Sequence, residues 1–321
     1  MKVLITGCAG FIGFSIAKEL IEKNYKVYGI DNFDNYYSLK LKKKRIRELQ
    51  KNKKFVFKKI DITQEKILNS YLSKILFDYV FHFAAQPGVR YSLINPKKYF
   101  KTNVLGYQNL INSLNKKKLK KIIYASSSSV YGDQKVFPTK EHYNLKAKNP
   151  YGLSKILKEN LSEIYSTIYN CDFIGLRLFT VYGEWGRPDM FTFKLLNSIK
   201  KNKIFYLNNN GNHKRDLTYI KDVTKICLML IKLRKKIKHD IFNICSSRSI
   251  NIKDLKKIFL KKYPYAKIIN TVANKADVKD TFGSNRKIVK KINYKDFTKF
   301  EVGIKNSIDW FEKNRIFKLL D

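Results

Sequence analysis

A short apolar run at the start of the chain, Lys2-Val3-Leu4-Ile5-Thr6, breaks directly into Gly7-Cys8-Ala9-Gly10-Phe11-Ile12-Gly13. The run is short and partly β-branched, which is the signature of a buried strand rather than a signal peptide. A helical apolar pattern follows over 14–22. Glycines spaced G-x-x-G-x-x-G between strand and helix allow a tight turn, close helix–strand packing, and approach of backbone N–H groups to a pyrophosphate at the helix N-terminus. A second apolar run ends at Asp31, 18 residues beyond Gly13. A carboxylate there accepts hydrogen bonds from ribose hydroxyls and repels a 2′-phosphate. No arginine adjoins it in the sequence, so the expected cofactor is NAD rather than NADP.

The rest of the first half keeps this rhythm. Strands are expected at 2–6, 26–31, 55–61, 79–84, 121–125 and 172–178. Helices are expected between them at 14–22, 39–50, 67–75, 99–114 and 152–169. Such alternation predicts right-handed crossovers and an α/β fold, a Rossmann-type doubly wound parallel sheet. After about residue 180 the pattern changes. A loop at 183–188, a helix at 190–201, a polar stretch at 208–214 and a terminal amphipathic helix at 302–314 suggest a smaller mixed α/β domain. The expected division is 1–180 for NAD and 181–321 mainly for substrate, with 241–245 returning as one more strand.

Length and composition narrow the class. The chain has 321 residues, 44% of them hydrophobic, with 22 Phe and 21 Tyr, which excludes a disordered polypeptide. Cys8, Cys171, Cys227 and Cys245 form no C-x-x-C pair. That argues against a disulfide framework or a metal site and suits a reducing, cytoplasmic setting. No apolar run is long enough to insert in a membrane. Lysine and arginine number 66 against 26 acidic residues, a formal charge of +40. The basic residues are spread over most segments, whereas a nucleic-acid footprint concentrates on one face. The densest stretches, 40–44 and 115–121, each read as a helix surface or helix end, so no nucleic-acid partner is expected.

Two further segments carry chemistry. Tyr151-Gly152-Leu153-Ser154-Lys155 puts a phenol and an ammonium four residues apart, on one helix face. A tyrosine titrates near 10, and an adjacent cation favours its phenolate. Bringing it to neutrality takes about 3 units, about 4 kcal/mol. Ser126-Ser127-Ser128-Ser129-Val130-Tyr131-Gly132 follows the fifth strand, at the sheet edge where open α/β folds bind ligands. A hydroxyl there can orient a substrate oxygen against the tyrosine. His82 reads as a packed strand residue.

In this order, and with Phe83-Ala84-Ala85-Gln86, Thr102-Asn103-Val104-Leu105-Gly106, Asn149-Pro150-Tyr151, Leu176-Arg177-Leu178-Phe179 and Arg215-Asp216-Leu217-Thr218-Tyr219-Ile220, the chain resembles the extended short-chain dehydrogenase/reductases over essentially its whole length. These are NAD-dependent sugar-nucleotide epimerases and dehydratases. The resemblance makes Ser127, Tyr151 and Lys155 catalytic. It assigns NAD to Gly7, Gly10, Phe11, Ile12, Gly13, Asp31, Asn32, Asp61, Ile62, Ala84, Ala85, Asn103, Tyr151 and Lys155. Dehydratases carry Asp-Glu before Val-Tyr-Gly and uronate decarboxylases carry Glu, where this chain has Ser128-Ser129. Asp31-Asn32-Phe33-Asp34-Asn35-Tyr36-Tyr37, Gln86-Pro87-Gly88-Val89-Arg90-Tyr91-Ser92 and 180–190 are similar to the UDP-glucuronate 4-epimerases.

That likeness implies C4 epimerisation of a UDP-hexuronate through a transient 4-keto sugar. UDP-glucose and UDP-N-acetylglucosamine are the alternative substrates, and a sugar-nucleotide reductase or a non-enzymatic nucleotide binder the alternative classes. It implies substrate contacts at Gln86, Arg90, Ser127, Ser128, Thr180, Arg187, Arg215 and Asp277, with Thr180 beside the C5 substituent, and a homodimer through helices near 99–114 and 152–169. Ala276-Asp277 stands where the family has Gly-Asp, and Ser284 where many members have Asp.

Overall fold

The computed structural model describes residues 1–272 and 278–320. Its strands are β1 (Lys2–Thr6), β2 (Lys26–Asp31), β3 (Phe55–Lys59), β4 (Tyr79–His82), β5 (Lys121–Ser127), β6 (Asp172–Leu178), β7 (Thr180–Tyr182), β8 (Phe205–Asn208), β9 (Lys214–Tyr219), β10 (His239–Ile244), β11 (Ser249–Asn251) and β12 (Ile268–Thr271). Seven of them form a parallel sheet ordered β10-β6-β5-β4-β1-β2-β3. Every residue of β5 and β6 is buried, as in a parallel sheet covered on both faces. The chain leaves β1 in one direction to β2 and β3 and returns on its other side to β4, which opens a crevice at the carboxyl ends of these strands.

The expected strands all form, and their ends shift for local reasons. β3 stops at Lys59, two residues early, because the Asp61 carboxylate accepts the Thr63 N–H at 2.8 Å and turns the chain out of the ladder. β4 stops at His82, which leaves Ala84 and Ala85 in the crevice loop. β5 runs on to Ser127, paired with Leu178. The first helix starts at Phe11, capped at Gly10, so the last glycine of the motif is already helical.

The helix expected at 99–114 is three pieces: Pro96–Tyr99, a π-helical stretch at Phe100–Leu105, and Gly106–Ser113. The wider turn accompanies Asn103, whose amide bonds to Gln86 and Ser154, and Gly106, where a Cβ would stand 2.8 Å from the Ile62 side chain. The helix Pro150–Ile168 begins with proline at its first position, and the Asn149 side chain accepts the Gly152 N–H at 2.9 Å.

Beyond residue 180, β11-β9-β7 make a small mixed sheet and β12-β8 a parallel pair. β10 joins the large sheet beside β6, beginning two residues before the expected 241–245. The helix Ile220–Lys232 packs on the Phe11–Glu22 helix. The terminal helix Phe300–Lys313 brings Trp310 against Trp185, with ring centres 4.9 Å apart. The basic stretch 40–44 is not all solvated: in the helix Leu39–Gln50, Lys42 and Arg45 are buried with Leu41, Ile46 and Leu49.

Candidate active site

The carboxyl ends of the sheet open into one cleft of about 900 Å³, between the glycine turn and the segments after residue 180. Gly7 lies at φ +75°, and a Cβ on it would sit 2.6 Å from the Ala84 nitrogen. A Cβ on Gly13 would sit 2.3 Å from the Gly7 carbonyl oxygen. Both positions therefore need glycine, and the turn stays close enough to β4 for its N–H groups to reach a pyrophosphate.

Asp31 closes the turn from the other side. It accepts the Ala9 N–H at 3.0 Å and the Phe33 N–H at 2.8 Å. Burial pushes its carboxyl up, opposed by Lys42 and by those N–H groups. Asp61 accepts the Asn32 amide at 2.9 Å. Although burial opposes ionisation, the bonds from Asn32 and Thr63 hold its carboxyl below the usual range. These two carboxylates, Phe11, Ile12, Asn32, Ile62, Ala84 and Ala85 line the cleft with Gly7, Gly10 and Gly13. Backbone donors on the turn and carboxylates at the ribose end fit NAD.

Asn103 has a different place. It is fully buried and supports the cleft wall: its carbonyl oxygen accepts the Gln86 N–H at 2.7 Å, and its amide donates to the Ser154 hydroxyl at 2.9 Å. It thus ties the loop after β4 to the helix that carries Tyr151.

Ser127, Tyr151 and Lys155 meet at the same cleft. The Ser127 hydroxyl oxygen accepts the Ser129 N–H at 3.1 Å, which turns the chain at the end of β5. Lys155 is 1% exposed; its Nζ donates to the Ala125 carbonyl at 3.2 Å and lies 5.4 Å from the centre of the Tyr151 ring. Burial lowers the pKa of this lysine, and Tyr151 opposes the shift. The Tyr99 ring meets Tyr151 edge-on, at 6.2 Å and 83°, and its hydroxyl donates to the Pro87 carbonyl at 2.6 Å. His82 is buried as expected, with Nδ1 2.8 Å from the Thr6 hydroxyl and its ring stacked on Tyr107.

Gln86, Arg90, Ser128, Thr180, Arg187 and Arg215 also line the cleft. Arg187 is paired through two nitrogens with Asp189, one contact at 3.0 Å, and lies 5.9 Å from the centre of the Tyr36 ring. Burial opposes its charge, but Asp189 keeps its pKa above the ordinary value. Arg215 donates to the Lys279 and Val278 carbonyls at 2.7 and 2.9 Å, holding that segment beside β9. Asp277 lies outside the described residues. Ser284 is buried, its N–H bonded to the Thr139 carbonyl.

Sequence reasoning missed several cleft residues and one behind them. Tyr36, Lys42, Lys98 and Asp189 line the cleft, with Lys98 paired to Asp34 at 2.6 Å. Arg45 is fully buried and donates to Ala9, Tyr37, Trp185 and Gly186. The available signal was periodicity: Lys42 and Arg45 fall on the face defined by Leu41, Ile46 and Leu49.

Fold and site together define a Rossmann protein that binds a dinucleotide beside a Ser-Tyr-Lys set. The chain belongs to the NAD dependent epimerase/dehydratase family, whose model matches residues 3–245. It is 34% identical over 319 residues to a UDP-glucuronate 4-epimerase of Thermodesulfobacterium geofontis, covering 97% of this chain and 96% of that one. The UDP-glucuronic acid 4-epimerase of Bacillus cereus, solved with UDP-glucuronic acid and NAD, superposes with a TM-score of 0.89 at 29% identity, covering 98% and 100% of the two chains. A UDP-glucose 4-epimerase of Thermotoga maritima, solved with UDP-glucose, gives 0.88 at 28%, with the same coverage.

Proposed function

We propose that this chain is an NAD-dependent isomerase that inverts C4 of a UDP-hexuronate, interconverting UDP-glucuronate and UDP-galacturonate. The observation that carries this reading is the meeting of Ser127, Tyr151 and Lys155 in the cleft that also holds the glycine turn and Arg90, Thr180 and Arg187. NAD, when bound, takes a hydride from C4 and gives it back, so no net oxidation occurs. Tyr151 removes the O4 proton and returns it. Lys155 stands buried beside it, its Nζ 5.4 Å from the centre of the ring. Ser127 holds O4 in line, its hydroxyl fixed by Ser129. Ser128 and Ser129 offer no carboxyl group for elimination of water or loss of CO2. Arg90 and Arg187 supply forked donors for the diphosphate and the uronate, with Thr180 at the C5 substituent.

The cytoplasm and a homodimer belong to the same reading. All four cysteines are buried free thiols, which supports a reducing compartment. No helix among the described residues is long and apolar enough to cross a membrane. Leu105, Leu153, Ile164 and Ile168 are exposed on the helical segments near the expected contact, which supports pairing there. The test of the activity is proton NMR of purified protein with UDP-glucuronate. Appearance of UDP-galacturonate without accumulating NADH supports it; conversion of UDP-glucose alone would replace the substrate assignment.

A further inference from the structure

Arg45 is fully buried and, among the described residues, bonded to no carboxylate. Its guanidinium donates to the Ala9 carbonyl at 2.8 Å, the Tyr37 hydroxyl at 2.8 Å, the Trp185 carbonyl and the Gly186 carbonyl at 3.1 Å. These acceptors belong to three separate segments: the glycine turn, the loop after β2, and the loop at 183–189. A buried cation is costly; here its two terminal nitrogens find acceptors while Nε has none among the described residues, and the planar fork fixes the three carbonyls and the Tyr37 hydroxyl in mutual register.

Each anchored segment is held a second time. The Ala9 N–H is bound by Asp31 at 3.0 Å, so the glycine turn is gripped on both sides. The Trp185 ring lies 4.8 Å from Phe14, in the helix that follows the turn, and 4.9 Å from Trp310. One residue beyond Gly186, Arg187 lies against Tyr36 in the loop after β2. The turn that faces the cofactor and the loop that faces the sugar are therefore joined at one side chain.

We propose that Arg45 is a positioning residue that couples the two ligand sites, so that ordering either loop orders the other. This rests on the epimerase reading, in which one NAD must stay bound while the sugar is oxidised and reduced. Coupling through a shared ordered element is reciprocal: bound NAD tightens the sugar nucleotide, and the sugar nucleotide slows NAD loss. Arg45 itself touches neither ligand in this account; it acts through Ala9, Trp185 and Gly186.

The test compares the wild type with Arg45→Met and Arg45→Lys, as NAD-loaded full-length protein. NAD release after dilution and the affinity for UDP-glucuronate with and without NAD are measured directly, without turnover. The wild type is expected to show at least about fivefold coupling. Arg45→Met should release NAD about tenfold faster and bring the coupling close to one. Its kcat at saturating NAD should fall far less than its NAD retention. Arg45→Lys keeps the charge but loses the fork and should lie between. If the Met variant does not fold, the Lys variant decides, because release and coupling at wild-type values in it overturn the proposal. A wild type that shows the coupling but never epimerises would remove the functional reading and leave the latch. A wild type that epimerises while both folded variants hold NAD as it does would remove the latch alone.

Discussion

Lys155 and Tyr151 stand one helical turn apart, with the lysine Nζ 5.4 Å from the centre of the tyrosine ring and 3.2 Å from the Ala125 carbonyl oxygen at the end of β5. The sheet thus holds the ammonium, and the helix carries the phenol that the proposed mechanism uses as its base. Tyr151→Phe keeps the ring and its packing on Tyr99 but has no proton to exchange. Its kcat should fall by about 10²–10⁴, the usual worth of general acid–base catalysis, with UDP-glucuronate affinity nearly unchanged. Turnover near the wild-type value would remove Tyr151 from the chemistry.

In the proposed reading Arg187 distinguishes sugars by charge. It reaches the cleft already paired with Asp189, so a substrate carboxylate competes for an oriented guanidinium. Arg187→Ala should raise KM for UDP-glucuronate by about 10–100-fold, since truncating one partner of a desolvated charge pair costs 2 kcal/mol or more. KM for UDP-glucose should change much less. Equal effects on both would place Arg187 on the shared nucleotide.

Asn103→Leu strips the Gln86 N–H of its acceptor in a fully buried position. The orphaned donor should cost about 1–3 kcal/mol in urea unfolding. Because the same side chain steadies the loop after β4 and Ser154, kcat should fall as well. A variant as stable as the wild type would mean that water replaces the amide.

Asp216 makes one contribution to the pH dependence of stability. It is fully buried, and burial raises its carboxyl from 3.8 to about 7, against bonds from Ser246 and Gly283. Between those values the folded protein retains a proton that the unfolded chain has released. This contribution to stability therefore falls as pH rises from about 4 to 7, by no more than about 4 kcal/mol. Asp31 shares the sign and Asp61 has the opposite one, so the difference between wild type and Asp216→Asn isolates the group. Between pH 5 and 8 the urea midpoint of the wild type should fall relative to that of the variant; parallel curves would refute the assignment.

The sheet was legible because each strand of a parallel sheet is a short apolar run between helical patterns, as in β5 and β6. The glycine turn, Asp31, Ser127, Tyr151 and Lys155 were expected at one site because they lie at or just beyond the carboxyl end of a strand or in the first turns of a helix, and the structure brings them to one cleft. The π turn at Asn103 was not, since it depends on Gln86 and Ser154, distant in sequence. Asn103, expected as a cofactor contact, is fully buried and spends its amide on Gln86 and Ser154. Arg45 was hidden by its lysine-rich surroundings: composition marks the segment as surface, and only periodicity puts Arg45 with Leu41 and Leu49 on the buried face. The Arg187–Asp189 pair shows a further limit, because two residues apart in a loop says nothing of where the pair points.

The most direct test follows UDP-glucuronate carrying deuterium at C4 through turnover, read by NMR and mass spectrometry. UDP-galacturonate should form with the deuterium still at C4, because the hydrogen removed from one face returns to the other without exchanging with water. Product that has lost the label to water would contradict it, as would conversion with stoichiometric release of NADH.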